Sequence, residues 1–116
     1  MFLFWTFSIQ AQNPLVIPPT LSGNTINLTL QSDSVQFLPG SKTQTLGYNG
    51  SYLGPTLILD NGNNVSINVI NGMGNGDTTT THWHGMHIAP ENDGGPHSLI
   101  MDGTTWNPQF TVMDKA

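Results

Sequence analysis

The chain has 116 residues and no cysteine. Disulfide scaffolds, thiolate zinc sites, iron–sulfur clusters and thiol nucleophiles are therefore ruled out within it. Fixed positive charge is almost as scarce: Lys42 and Lys115 stand against seven acidic residues, a formal charge of −5. Neutralising phosphates takes clustered Lys and Arg, so nucleic-acid binding is nearly excluded. The same deficit argues against an anionic membrane surface. Charged residues make up only 8% of the chain, which argues against long helices, since these favour Ala, Leu, Glu, Lys and Arg. There is also no apolar run long enough to span a bilayer. The length allows one domain and not two.

Asn, Thr, Ser and Gln fill the gap, with thirteen glycines and eight prolines. That mixture suits short strands joined by many turns. Whole-chain disorder is the competing reading, and regular apolar alternation along the chain counts against it.

The first twelve residues, "MFLFWTFSIQAQ", are apolar and end in small and polar side chains. They read as the apolar and cleavage regions of an export signal, with Ala11 near the cut and the mature chain starting near Asn13. The basic leading segment is missing, so residues 1–12 are expected to be a truncated signal; a buried N-terminal strand is the alternative. Export would place the protein in the periplasm or outside the cell.

Alternation of period two marks the expected strands. "TINLTL" sets Ile26, Leu28 and Leu30 on one face, and "SVQF" does so with Val35 and Phe37. The Asn49-Gly50 pair between aromatic residues predicts a hairpin. "TLIL" and "VSINVI" follow as strands, the second with Val65, Ile67 and Val69 aligned. "TTWNPQFTV" supplies a last one, with Phe110 and Val112 on one side. Short strands with frequent turns predict an antiparallel sandwich or barrel. No internal repeat or linker marks a second domain across 13–116.

Three of the four histidines fall in "HWHGMH", residues 82–87. If the preceding threonines continue as a strand through His84, His82 and His84 share a face roughly 6–7 Å apart, with Trp83 on the other. Gly85 then lets the backbone turn away. Two imidazoles on a rigid face suit copper, zinc, nickel or iron. A His-x-His pair is also found as a surface or structural feature, so both readings stand on the pair alone. The cupin-type spacing fails, because three or four intervening residues after His84 lead to Ile88 and Ala89, and Glu91 comes too late. An α-type carbonic anhydrase site needs a third histidine on a neighbouring strand, and His97 falls in a Gly-Pro loop instead.

The blocks "GYNGSYLGPTL", "TTTHWHGMHIAPENDGGPH" and "TTWNPQFTV" together resemble the N-terminal cupredoxin domain of the multicopper oxidases, in the bacterial group of copper-efflux oxidases and spore-coat laccases. The likeness runs from about Gly47 to Val112, with the blocks in the family's order. It implies an all-β, cupredoxin-like Greek-key sandwich, incomplete at its C-terminal end. By the same likeness His82 would ligate the type 2 copper and His84 one of the type 3 coppers. Asp93 would be a carboxylate beside the cluster that assists proton delivery, or else a turn former before Gly94-Gly95. His87 and His97 would be loop residues. The implied activity couples one-electron oxidation of a reducing substrate, phenol-like or a metal ion, to reduction of dioxygen to water.

This sequence departs from the family pattern in two ways. The second histidine pair that follows in the family is not reached by Ala116, and the cysteine a type 1 copper needs is absent. The chain is therefore expected to be part of a longer oxidase, to hold at most two ligands of the trinuclear copper cluster, and to expose an apolar edge. Two other functions compete: a copper-free cupredoxin-like binding or scaffold domain, and a mononuclear β-sandwich enzyme built on the His-x-His pair.

Overall fold

A computed structural model describes residues 17–115; the expected export signal at 1–12 lies outside the described residues. The strongest alternation in the sequence becomes the spine of the main sheet. Strands β2 (Thr25–Val35) and β5 (Asn64–Asn71) turn Ile26, Leu28, Val65, Ile67 and Val69 into one buried cluster. They run parallel, with Ile26 opposite Ile67 and Leu28 opposite Val69. Burying a side chain of this size is worth about 1.5–3 kcal/mol, so the register that aligns the two faces is strongly preferred.

Strand β3 (Thr43–Tyr48) pairs antiparallel with the other side of β2, Leu30 facing Tyr48. Strands β6 (Thr105–Trp106) and β7 (Gln109–Thr111) both pair antiparallel with β5. A second, two-stranded sheet joins β1 (Thr20–Ser22) and β4 (Thr56–Ile58) in parallel. Leu21, Leu57 and Leu59 from this side pack on the core of the first sheet, which makes two layers.

Several local expectations change. The "SVQF" segment is no separate strand: β2 continues through Val35, and Phe37 lies beyond it, partly exposed. The expected final strand splits at Asn107-Pro108, where the fully buried proline has no N–H for a ladder. The pairing is mixed and not purely antiparallel.

The hairpin at Asn49-Gly50 does not form, because β3 and β4 belong to different sheets. Asn49 instead takes a left-handed conformation, φ 55°. Its side chain accepts from the Thr29 amide at 2.7 Å and donates to the Asn27 carbonyl at 2.9 Å. The short polar side chain that makes Asn a turn former here satisfies backbone groups of β2.

The sandwich is open, with β3 at an edge of the main sheet and Leu46 on it half exposed. Among the described residues no helix is long and apolar enough to cross a membrane.

Candidate metal centre

The backbone of the threonine run pairs with the fold at Thr79, whose amide and carbonyl bond to Ile100 at 3.1 and 2.8 Å. Beyond Thr79 the chain leaves the ladder, so the expected strand through His84 is absent. The single helical turn α1 (Pro90–Asp93) ends at Gly94, which lies against the Thr81 carbonyl. The carbonyl of Asp93 accepts from the Trp83 amide at 3.2 Å.

The alternation of side chains nevertheless survives. Trp83 turns inward, stacked on Trp106 with ring centroids 6.4 Å apart and tilted against Phe110 at 6.0 Å. His82 and His84 turn outward, their rings 5.6 Å apart and nearly perpendicular at 77°. Gly85, at φ 84°, reverses the chain directly after them. One buried aromatic thus sets the direction of the two imidazoles that flank it.

Asp93 meets His82 through two groups. Its carbonyl oxygen lies 3.0 Å from His82 Nδ1, and its carboxylate Oδ1 lies 3.4 Å away. The carbonyl is the nearer and only accepts, so Nδ1 carries the proton and donates to it. The lone pair is then left on Nε2, the arrangement a metal-binding histidine needs. Asp93 Oδ1 is itself buried without a hydrogen-bond partner, as is Trp83 Nε1.

His87 and His97 sit in loops, as expected. His87 is nevertheless engaged: its amide and Nδ1 both donate to the carboxylate of Asp114. This pairing raises the His87 pKa, through the hydrogen bond first and the charge second, and it lowers that of Asp114. The sequence carries no local signal for this contact, because the partners are 27 positions apart. The same holds for Tyr48 and Thr81, whose hydroxyls meet at 2.6 Å.

Imidazoles of this kind fit copper as two donors of a larger set. Among the described residues no three His, Asp or Glu side chains converge to hold a metal. A hollow of about 590 Å³, walled by Phe37, Tyr48, Tyr52, Leu53 and Pro55, has no histidine in its lining.

An open two-layer β-sandwich that presents a paired His-x-His from a loop defines a cupredoxin-like domain with a candidate copper edge. The family model described as multicopper oxidase matches residues 29–116, and the chain belongs to that family. The multicopper oxidase mco of Staphylococcus aureus is 36% identical over 94% of this chain and 26% of its own length. The cell division protein FtsP of Escherichia coli K12 is 29% identical over 90% of this chain and 23% of its own. Among solved structures, the laccase-like multicopper oxidase CueO of the lignin-degrading bacterium Ochrobactrum sp. superposes with a TM-score of 0.81. It is 38% identical over 87% of this chain and 23% of that one. The chain thus spans about a quarter of the length of the relatives it matches.

Proposed function

We propose that this chain is the N-terminal cupredoxin-like part of a copper-dependent oxidase. In this reading His82 is a ligand of the type 2 copper and His84 of one type 3 copper, with the other ligands supplied by the rest of the parent chain. The observation that carries it is the facing imidazole pair, with Nε2 of His82 left free by the bond from its Nδ1 to Asp93. Copper held there supplies one-electron chemistry, coupling oxidation of a phenol-like or metal-ion substrate to four-electron reduction of dioxygen to water. This chain's own residues hold and orient. Trp83 anchors the pair in the core, and the Asp93 carbonyl keeps a proton on His82 Nδ1. The Asp93 carboxylate, with its Oδ1 buried 3.4 Å from His82 Nδ1, is the group we assign to proton relay. The apolar run at 1–12 supports an export signal, and hence a periplasmic or secreted protein.

A second reading is a copper-free binding or scaffold domain; the similarity to a relative named for cell division, not for oxidation, is what supports it. The retained histidine pair counts against it. A mononuclear site within this chain lacks a converging third ligand among the described residues.

Copper content and oxygen consumption of the full-length protein test the proposal. Bound copper is expected in the parent protein, and His82→Ala should lose both copper and oxygen uptake while keeping its circular dichroism and melting. Unchanged copper and activity in that variant would overturn the assignment, and a parent protein that takes up no copper would establish the scaffold reading.

A further inference from the structure

The residue before His82 has an unusual tether. Thr81 lies outside every strand, and its amide and carbonyl make no backbone hydrogen bond among the described residues. The polar contact that holds it is the one between its hydroxyl and that of Tyr48, 2.6 Å long and partly buried. On the other side its carbonyl lies against Gly94, where a Cβ would overlap the oxygen.

Tyr48 is a fixed post. It ends β3 in register with Leu30, its amide donates to the Leu53 carbonyl at 2.7 Å, and its ring packs on the core. A Cβ at Gly54 would come within 3.2 Å of the Tyr48 Cβ, so the following loop is folded tightly against the stem of this side chain. The stem of the side chain is held in place, and its hydroxyl reaches across from the sheet to Thr81 in the histidine loop.

We propose that Tyr48 is a positioning residue for the copper ligand His82: its hydroxyl fixes Thr81, and with it the distance His82 stands out from the sheet. The division of labour is geometric. The Asp93 carbonyl sets the rotation of the His82 ring through Nδ1, whereas the Tyr48–Thr81 bond sets the position of the backbone that carries the ring. A ligand displaced by a fraction of an ångström binds copper less well, because the other ligands are set independently. This inference rests on the copper-ligand reading of His82.

The test uses the full-length protein with Tyr48→Phe, Thr81→Val, Thr81→Ser and His82→Ala in parallel. Tyr48→Phe and Thr81→Val each remove one hydroxyl and are expected to weaken copper retention against a chelator by roughly tenfold. Both should change the electron paramagnetic resonance signal of the type 2 copper. The double variant should be no worse than either single one, since both break the same bond, and Thr81→Ser should restore the wild-type values. In the metal-free protein, Tyr48→Phe should shift the ring resonances of His82 and leave those of His97 in place. Wild-type copper retention and spectrum in Tyr48→Phe, alongside loss in His82→Ala, would overturn the positioning role and leave the ligand reading intact. So would a fall in melting temperature with unchanged His82 resonances. If His82→Ala also retains its copper, both readings fall.

Discussion

Gly94 packs its α-carbon against the carbonyl of Thr81, the residue before His82, at a backbone φ of 73°. A side chain there would overlap that oxygen and also approach Trp106 at 3.2 Å. The left-handed backbone alone costs a non-glycine residue about 1–3 kcal/mol, and the clash adds to it. Gly94→Ala should therefore destabilise by at least this amount in denaturant melts. Gly95→Ala next door meets nothing within 4 Å and should stay within about 0.5 kcal/mol of wild type.

Trp83 and His84 are adjacent but should respond in opposite ways. Trp83 stacks on Trp106 and touches Phe110, so Trp83→Ala removes a large apolar body and should cost about 3 kcal/mol. His84 is exposed, and His84→Ala should leave the melting curve almost unmoved. A large loss of stability in His84→Ala would show that the ring packs against the fold.

The His87–Asp114 pair makes stability depend on pH. The folded pKa of His87 is raised above 6.5, so its contribution is fully present below that value and is lost as pH rises through the folded one. That of Asp114 is lowered below 3.8, so its contribution is present above that value and is lost as pH falls through the folded one. The pair is strongest in the window between. Titration of the ring resonances should give His87 a midpoint above 6.5, and Asp114→Asn should bring it down.

Asp102 closes the loop after β5. Its two carboxylate oxygens accept from the amides of Gly74 at 2.9 Å and Gly76 at 2.8 Å. Those bonds lower its pKa, that from Gly76 first. Their contribution is present above pH 3.8 and lost as pH falls through the lowered folded value. Asp102→Ala should speed hydrogen exchange at both glycine amides and leave the Ile67 amide in the core strand protected.

Buried Asn71 shows how a polar side chain is placed in the core. Its amide nitrogen donates to the carbonyls of Asp77 and Ile100, each at 2.9 Å, which ties β5 to both the loop and the Thr79–Ile100 bridge. Asn71→Ala removes both bonds at a fully buried position and should cost roughly 1–3 kcal/mol, measured by denaturation.

The legible part of this fold is the part governed by side-chain period. Ile26, Leu28, Val65, Ile67 and Val69 alternate strictly, and a one-residue slip would turn all of them to water, so their strands follow from the pattern. Asn49-Gly50 misled because a turn-forming asparagine has a second use: its amide can serve as a backbone mimic, and here it bonds to Asn27 and Thr29. The threonines before His82 have high strand propensity, yet no strand forms: beyond Thr79 the stretch meets the Tyr48 hydroxyl and the Asp93-Gly94 turn in place of a strand partner.

For the site, chemical identity and orientation came from different sources. Which residues carry imidazoles, their spacing around Trp83, and the family motif they form were present in the order of amino acids. So was the limit set by the missing cysteine, since no folding supplies an absent ligand. The direction of the rings depended on contacts between residues far apart in the chain: Trp83 on Trp106, His82 on Asp93, Thr81 between Tyr48 and Gly94. Such contacts form only when the two layers come together. Their energy lies in burial and hydrogen bonds across the fold, and local sequence carries no period that announces them.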